Sequence, residues 1–462
     1  MRPATVTGIL LLASTVALAG CGGSSPLTET PPTKPVTPAA TGLLGVAFGG
    51  QQPVTGMTLQ LYDAGSGGYG TAATGMLKST LPQTDSNGNF SIKIPTCPNP
   101  GDQIYLVGTG GDPLAAGQGA GQNNSSLALM VALGNCSGLG SLPGLHMNEL
   151  TTVAAVWALA PFMSGNTDAY ANVGTSTNNG SGLQMAFTAA QEVTNISTGT
   201  VPGSAPAGAT VEANEVNTVA DLLEACINSI DAPGPAPSSS CSDLFSDAPS
   251  TAGSPTDTIT AAMNIAQHPA RDVPALISLI SNTPTFNPVV SGPTAFTIAI
   301  KYTGGGLSAP AAVATDQSGN IWVTNSSAST VSLFSNNGAP LTGFPASGAT
   351  LPGASGGIAI DLTGNAWITI PGSNSVVEVS NSGSLTTVSN SSSIGMNQPT
   401  SIAIDGGGNI WVVNSASGAN SVSGFTSSGT ALGASAFTGG GISSPVAIAI
   451  NGSANASCAD CN

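Results

Sequence analysis

The chain has 462 residues, of which 22 are Asp or Glu and only 6 are Lys or Arg, so its formal net charge is −16. Charged side chains make up 6% of it, against about 25% in an ordinary soluble protein, so Ser, Thr, Asn, Gln and Gly must build the surface. So few cations leave no basic patch to neutralise phosphates, which excludes nucleic acid as a partner and leaves attraction to anionic lipid heads without a basis.

The first element in chain order is an export signal. Arg2 precedes an apolar run from Val6 to Ala19, too short to span a bilayer comfortably, so residues 1–20 read as a signal peptide. The run ends in Leu18-Ala19-Gly20-Cys21, which resembles the bacterial lipobox. That resemblance implies cleavage before Cys21, acylation of its thiol, and anchoring of the chain to a membrane of the cell envelope, outside the cytoplasm. Gly22 in place of Asp implies the outer rather than the inner membrane. Residues 21–41, rich in Gly, Ser, Thr and Pro, would be the flexible tether. The remaining cysteines are Cys97, Cys136, Cys226, Cys241, Cys458 and Cys461. An even number in an exported chain predicts disulfides, and sequence neighbours would pair as Cys97–Cys136, Cys226–Cys241 and Cys458–Cys461, although spacing does not fix that connectivity.

Residues 42–110 alternate as strands do. Met57, Leu59 and Leu61 fall on one face, Ile104-Tyr105-Leu106-Val107 predicts a further strand, and Asp85-Ser86-Asn87-Gly88-Asn89 is turn chemistry ahead of Phe90-Ser91-Ile92-Lys93-Ile94. Gly45-Val46, the run from Pro53 to Leu59 and the run from Asp85 to Phe90 together resemble the carboxypeptidase-regulatory-like β-sandwich. The resemblance implies a spacer or adhesion module without catalysis. Asp85 is read as part of a hairpin turn, because the ligand spacing of a calcium loop is missing. Residues 111–145 read as a connecting segment. Helical spacing takes over across 146–285: Leu150, Val153, Ala154 and Trp157 form a stripe with Asn148 placed to cap it and Pro161 to stop it. Further stripes run through Leu183, Phe187 and Ala190, through Val216, Val219, Ala220, Leu223 and Ile227, through Ile259, Met263 and Ala266, and through Val273, Leu276, Ile277 and Ile280. These predict a helical bundle.

Residues 296–462 contain a repeat. The segments 312–323, 357–368 and 401–412 align without gaps, each with an Asp (Asp316, Asp361, Asp405) in an Asp-x-x-Gly-Asn turn and a Trp (Trp322, Trp367, Trp411) six residues after the Asp. Asp316, Asp361, Asp405 and Asn451 stand 45, 44 and 46 residues apart. Short strands at a period of roughly 40–50 residues predict propeller blades, with the Trp filling the space between neighbours. The pattern resembles NHL-type repeats, including those of the streptogramin (virginiamycin B) lyase group. Ala447-Ile448-Ala449-Ile450-Asn451 opens a fourth unit, but Ser457 stands at its Trp position and Cys458-Ala459-Asp460-Cys461-Asn462 follows, so three complete repeats and a partial fourth are expected. Phe296–Tyr302 is a candidate extra strand for that fourth blade. The incomplete ring would be closed by another copy of the chain, stay open, or reflect a truncated product.

The expected fold class is thus multidomain α+β: an N-terminal β-sandwich, a middle helical bundle and a C-terminal, incomplete NHL-type β-propeller. The lyase resemblance would imply a basic His, acidic residues and a divalent metal at the propeller centre. Both histidines, His146 and His268, lie outside the repeats, so no catalytic residue carries over and no cofactor is predicted. Glu149, Glu192, Glu212, Glu215 and Glu224 read as solvated helix faces. The sequence therefore favours a surface-anchored, non-catalytic binding or scaffold protein, held to the membrane by lipid and presenting its propeller to a glycan or a protein. The alternatives are a metal-dependent, lyase-like propeller and a truncated remnant without activity.

Overall fold

A computed structural model of the chain describes residues 42–78, 80–113, 122–166, 169–229, 239–248, 253–341, 344, 348–389, 393–433 and 436–450. The expected signal, the tether with Cys21, and the end of the fourth repeat with Cys458 and Cys461 lie outside the described residues.

The described residues open with eight strands: β1 (Gly42–Gly49), β2 (Gln52–Pro53), β3 (Thr58–Asp63), β4 (Thr74–Gly75), β5 (Asn89–Lys93), β6 (Gln103–Thr109), β7 (Ala128–Asn135) and β8 (Leu145–Met147). β1 pairs antiparallel with β2 and β5 and parallel with β8, while β4-β3-β6-β7 form a second, antiparallel sheet. Alternation places Phe90 and Ile92 of β5 and Leu59 and Leu61 of β3 in the core, with polar neighbours turned outward. β6 and β7 do not alternate, because both of their faces are covered, and Ala128 to Leu133 is an unbroken buried run. β7 lies in the stretch read from the sequence as a mere connection.

The cover on β7 is helical. α1 (Glu149–Leu159) starts at Asn148, whose side chain accepts the Thr151 amide at 3.0 Å while its own amide bonds Thr151 Oγ1 at 3.0 Å. The hairpin β9 (Met163–Asn166) and β10 (Ala169–Val173) follows, then α2 (Gly180–Val193), β11 (Ala209–Val211), α3 (Ala213–Ile227), α4 (Ser239–Asp247), α5 (Thr258–Gln267) and the short α6 (Val273–Ile277). α1 touches α2, α3, α5 and β7, and the stripe expected on one face widens to nearly its whole circumference. Sandwich and helices share one apolar core, which runs from Leu43 to Phe296. Among the described residues two disulfides are formed, Cys97–Cys136 and Cys226–Cys241.

Residues 283–302 are a strap sewn onto the helices. The amides of Thr285 and Phe286 bond Asp221 Oδ1 at 3.0 Å, that of Val290 bonds Thr218 Oγ1 at 2.8 Å, and Phe296 is fully buried, its carbonyl accepting the Trp157 indole N–H at 3.1 Å. β12 (Ile300–Tyr302) pairs antiparallel with β11, and Tyr302 donates to Glu192 Oε2 at 2.9 Å. The candidate extra blade strand at Phe296–Tyr302 is therefore corrected: its partner is β11 beside the helices, because Phe296 anchors it in their core.

Three antiparallel sheets follow. The first is β13 (Pro310–Thr315), β14 (Ile321–Asn325), β15 (Thr330–Phe334) and β16 (Ala349–Thr350). The second is β17 (Ile358–Ile360), β18 (Ala366–Ile370), β19 (Ser375–Val379) and β20 (Leu385–Val388), and the third is β21 (Pro399–Ile404), β22 (Ile410–Asn414) and β23 (Ser421–Phe425). Each is an up-and-down blade, and the first strands β13, β17 and β21 lie side by side. The arrangement is mixed α+β with a row of three propeller-like blades; no sheet closes on itself among the described residues. No helix among the described residues is long and apolar enough to cross a membrane.

Candidate functional site

The six-residue Asp-to-Trp spacing has a bonding cause. In each blade the carboxylate caps its own turn and then accepts the indole N–H of the next strand. Asp361 Oδ1 takes the amides of Thr363 and Asn365 at 2.8 and 3.0 Å, and its Oδ2 takes Trp367 Nε1 at 2.9 Å. Asp405 bonds Gly407, Asn409 and Trp411 Nε1 in the same way, the last at 3.0 Å. In the first blade Trp322 Nε1 stands further from Asp316 Oδ2, at 3.4 Å. Burial pushes the Asp361 and Asp405 carboxyls up, but the donated hydrogen bonds outweigh it and hold both below the ordinary carboxylate range. Asp85 repeats the turn in the sandwich: Asn87 and Asn89 donate to it, Asn89 most strongly, and its carboxyl is likewise lowered. It is a tight turn as its sequence suggests, but not a hairpin: it links Gln83, bridged to Thr58 of the second sheet, to β5, which pairs with β1 in the first.

The tryptophans are wedges. Trp322 is fully buried between the first and second blades, against Ala366, Ile368 and Ile370. Trp367 lies in the same way between the second and third, against Ile402, Ile410 and Val412. Trp411 is only half-buried, with Phe437 at a ring distance of 5.5 Å.

Above the first wedge, the rims of blades one and two leave a cleft of about 300 Å³. Asp316, Gln317, Ser318 and Asn320 of the β13–β14 turn form one wall. Leu362, Thr363 and Gly364 of the β17–β18 turn and Asn381 of the β19–β20 turn form the other, with Leu333 and Leu341 as the floor. Asp316, Asn320 and Thr363 are tied into their own turns. The side-chain amides of Gln317 and Asn381 have no such bond among the described residues, so both remain open to a ligand. Among the described residues no cation lines the cleft. Its volume sits at the lower end of the roughly 300–1,000 Å³ typical of ligand sites.

Other sequence candidates have structural roles. His146 stacks on Phe48 at 5.2 Å and burial lowers its pKa; His268 Nδ1 lies 3.2 Å from the Asn264 carbonyl at the end of α5. The reading of the glutamates as solvated faces is corrected for Glu149 and Glu192, which are buried. Glu149 accepts the Gly50 amide at 2.7 Å. Burial pushes its carboxyl up to about 8 against that bond, and the carboxylates of Glu224 and Asp221 add to the shift. Burial also raises Asp221, to about 6, against the amides of Phe286 and Thr285. Among the described residues no three His, Cys, Asp or Glu side chains are grouped to hold a metal ion.

Two features escaped the sequence reading. Asn325 and Asn414, three residues after Trp322 and Trp411, are buried knots that donate to Thr330 and Ser332, and to Ser421 and Ser423. An Asn inside an apolar strand was their only signal, and the second repeat interrupts it with Ile370. The open amides of Gln317 and Asn381 stand at variable turn positions, where no pattern marks them.

No protein-family model and no curated protein matches the chain. Among solved structures it is similar to a streptogramin B lyase (19% identity over 31% of this chain and 44% of that one, TM-score 0.25). It is also similar to a selenomethionine-substituted virginiamycin B lyase from Staphylococcus aureus (21%, 26% and 39%, TM-score 0.20). A third is the calcium-binding protein regucalcin from Agrobacterium tumefaciens (15%, 25% and 40%, TM-score 0.20). The chain spans less than half the length of each. At these scores the likeness carries no argument about activity, and the propeller character rests on the blades themselves.

Proposed function

We propose that this chain is a lipid-anchored binding or scaffold protein of the bacterial cell envelope, without catalysis of its own. Its partial propeller would take up a protein segment or a glycan in the cleft between the first two blades. The observation that carries this reading is the cleft itself: two uncommitted primary amides, of Gln317 and Asn381, line it together with leucines. The strap supports it, because a propeller knitted to the helices by Phe296 and Tyr302 is held in a fixed presentation. The Asp carboxylates of the repeats suit a structural role, each being occupied by its own turn and tryptophan. Retention of the full chain in detergent on peptide and glycan arrays tests the proposal. Ligands held by the wild type should be lost, at least tenfold, from the Gln317→Ala/Asn381→Ala variant. Retention that is equal in both proteins, or absent from both, would refute the cleft as the binding site.

A further inference from the structure

We infer that the cleft between the first two blades binds an extended peptide segment that carries an aliphatic side chain beside a lysine or arginine. The inference rests on the reading of that cleft as a ligand site and narrows it to one ligand class.

The floor argues first. Leu333 and Leu341 of the floor and Leu362 of the adjoining wall are branched aliphatic chains, and no aromatic ring lines the cleft among the described residues. The C–H face of a sugar ring is flat and packs best on a flat partner, which an aromatic side chain supplies and a leucine does not. Leu333 is already almost fully covered by the blades, so a branched aliphatic side chain packs on Leu341 and above all on Leu362, which is 69% exposed in the free protein and gains most from being covered.

The walls argue next. A primary amide carries donor and acceptor groups together, the complement of a peptide unit with its N–H and C=O. Gln317 on one rim and Asn381 on the other can thus each take one backbone unit of an extended segment passing between them. The volume of about 300 Å³ admits a short piece of chain rather than a folded element.

Charge selects the neighbour. Asp316 holds its indole partner at 3.4 Å, where the equivalent distances in the other blades are 2.9 and 3.0 Å. Its Oδ2 also takes Asn320 Nδ2 at 2.9 Å, so what Asp316 offers a ligand is the negative charge of a carboxylate on the cleft wall rather than a free oxygen. Among the described residues no cation lines the cleft, and the whole chain carries −16. A lysine or arginine next to the aliphatic residue is drawn in by that field, and an aspartate or glutamate is repelled.

The test measures binding of the full chain, in detergent, to four labelled probes: the tetrapeptides Ala-Leu-Lys-Ala, Ala-Leu-Glu-Ala and Ala-Ser-Lys-Ala, and a β-1,4-linked glucose tetramer. Ala-Leu-Lys-Ala should bind at least tenfold more tightly than the other three and weaken as salt is raised. Leu362→Ser alters an exposed side chain, so the fold is kept, and it should abolish the preference for leucine over serine. Gln317→Ala and Asn381→Ala should weaken every peptide. Binding of the sugar alone, lost in those two variants, would overturn the peptide assignment and leave the cleft as a ligand site. Peptide binding that all three variants leave unchanged would overturn it by placing the ligand elsewhere. Silence from all four probes would sink both this inference and the reading beneath it.

Discussion

Glu149 is the least expected residue in the molecule: a carboxyl at the first turn of α1 with no exposure, bonded to the Gly50 amide through one oxygen. Its other oxygen, Glu149 Oε2, has no partner among the described residues, nor has Asp221 Oδ2. With its pKa pushed up to about 8, Glu149 is neutral in the fold at pH 7 and ionised in the unfolded chain, where the ordinary value is 4.5. Its contribution to stability is therefore full below about 4.5 and is lost as pH rises towards 8. Asp221 acts in the same direction across its own window, up to about 6. Glu149→Gln removes the titration and keeps the shape. Urea unfolding should find the variant about 2–4 kcal/mol more stable than wild type at pH 8 and nearly equal to it at pH 4.5. A variant less stable at both values would show that the buried acid has another role. Nothing in the sequence marked this residue, because a Glu at a helix start is ordinary surface chemistry; only the packing of α3 and the β1–β2 turn over it makes it unusual.

At the scale of elements the blade turn is the unit, and its importance depends on its place in the row. Asp361 serves a wedge that is sealed between two blades, so Asp361→Ala leaves the Trp367 N–H and two turn amides without their acceptor. Asp405 serves Trp411, which is half-exposed, and water can replace part of what is lost. Asp361→Ala should lower stability by about 2–4 kcal/mol and Asp405→Ala by about 1–2 kcal/mol, both read by urea unfolding. Equal losses would mean that the wedge position does not matter. The repeats were legible because the bonds joining Asp, Gly, Asn and Trp are local, all within six residues. The helix stripes through Leu183, Val216 and Ile259 were legible for the same reason. α4 was not, since Ser239–Asp247 is short and mostly polar. β7 was not, because two covered faces erase the alternation that announces a strand. The cleft was invisible, for it joins turns of two repeats through side chains that each repeat varies.

For the whole molecule, a lipid at Cys21 would make the sandwich, the helices and the blades parts of one membrane-bound body. Labelling with radioactive palmitate tests the anchor: the wild type should carry label and sediment with membranes, and Cys21→Ala should lose both properties. An unlabelled wild type would remove the anchor from the proposal. Both described disulfides lie in the body formed by sandwich and helices, with none in the described blades.

The wedges give the row of blades a direction. Trp322 seals against the second blade and Trp367 against the third, so each of these two repeats supplies the plug for its successor, while Trp411 of the third stays half-buried beside Phe437. A row built this way can be lengthened at one end without rebuilding the joints already made, because each added blade brings the cover for the wedge before it. The wedge left open is then that of the last blade, as Trp411 is here.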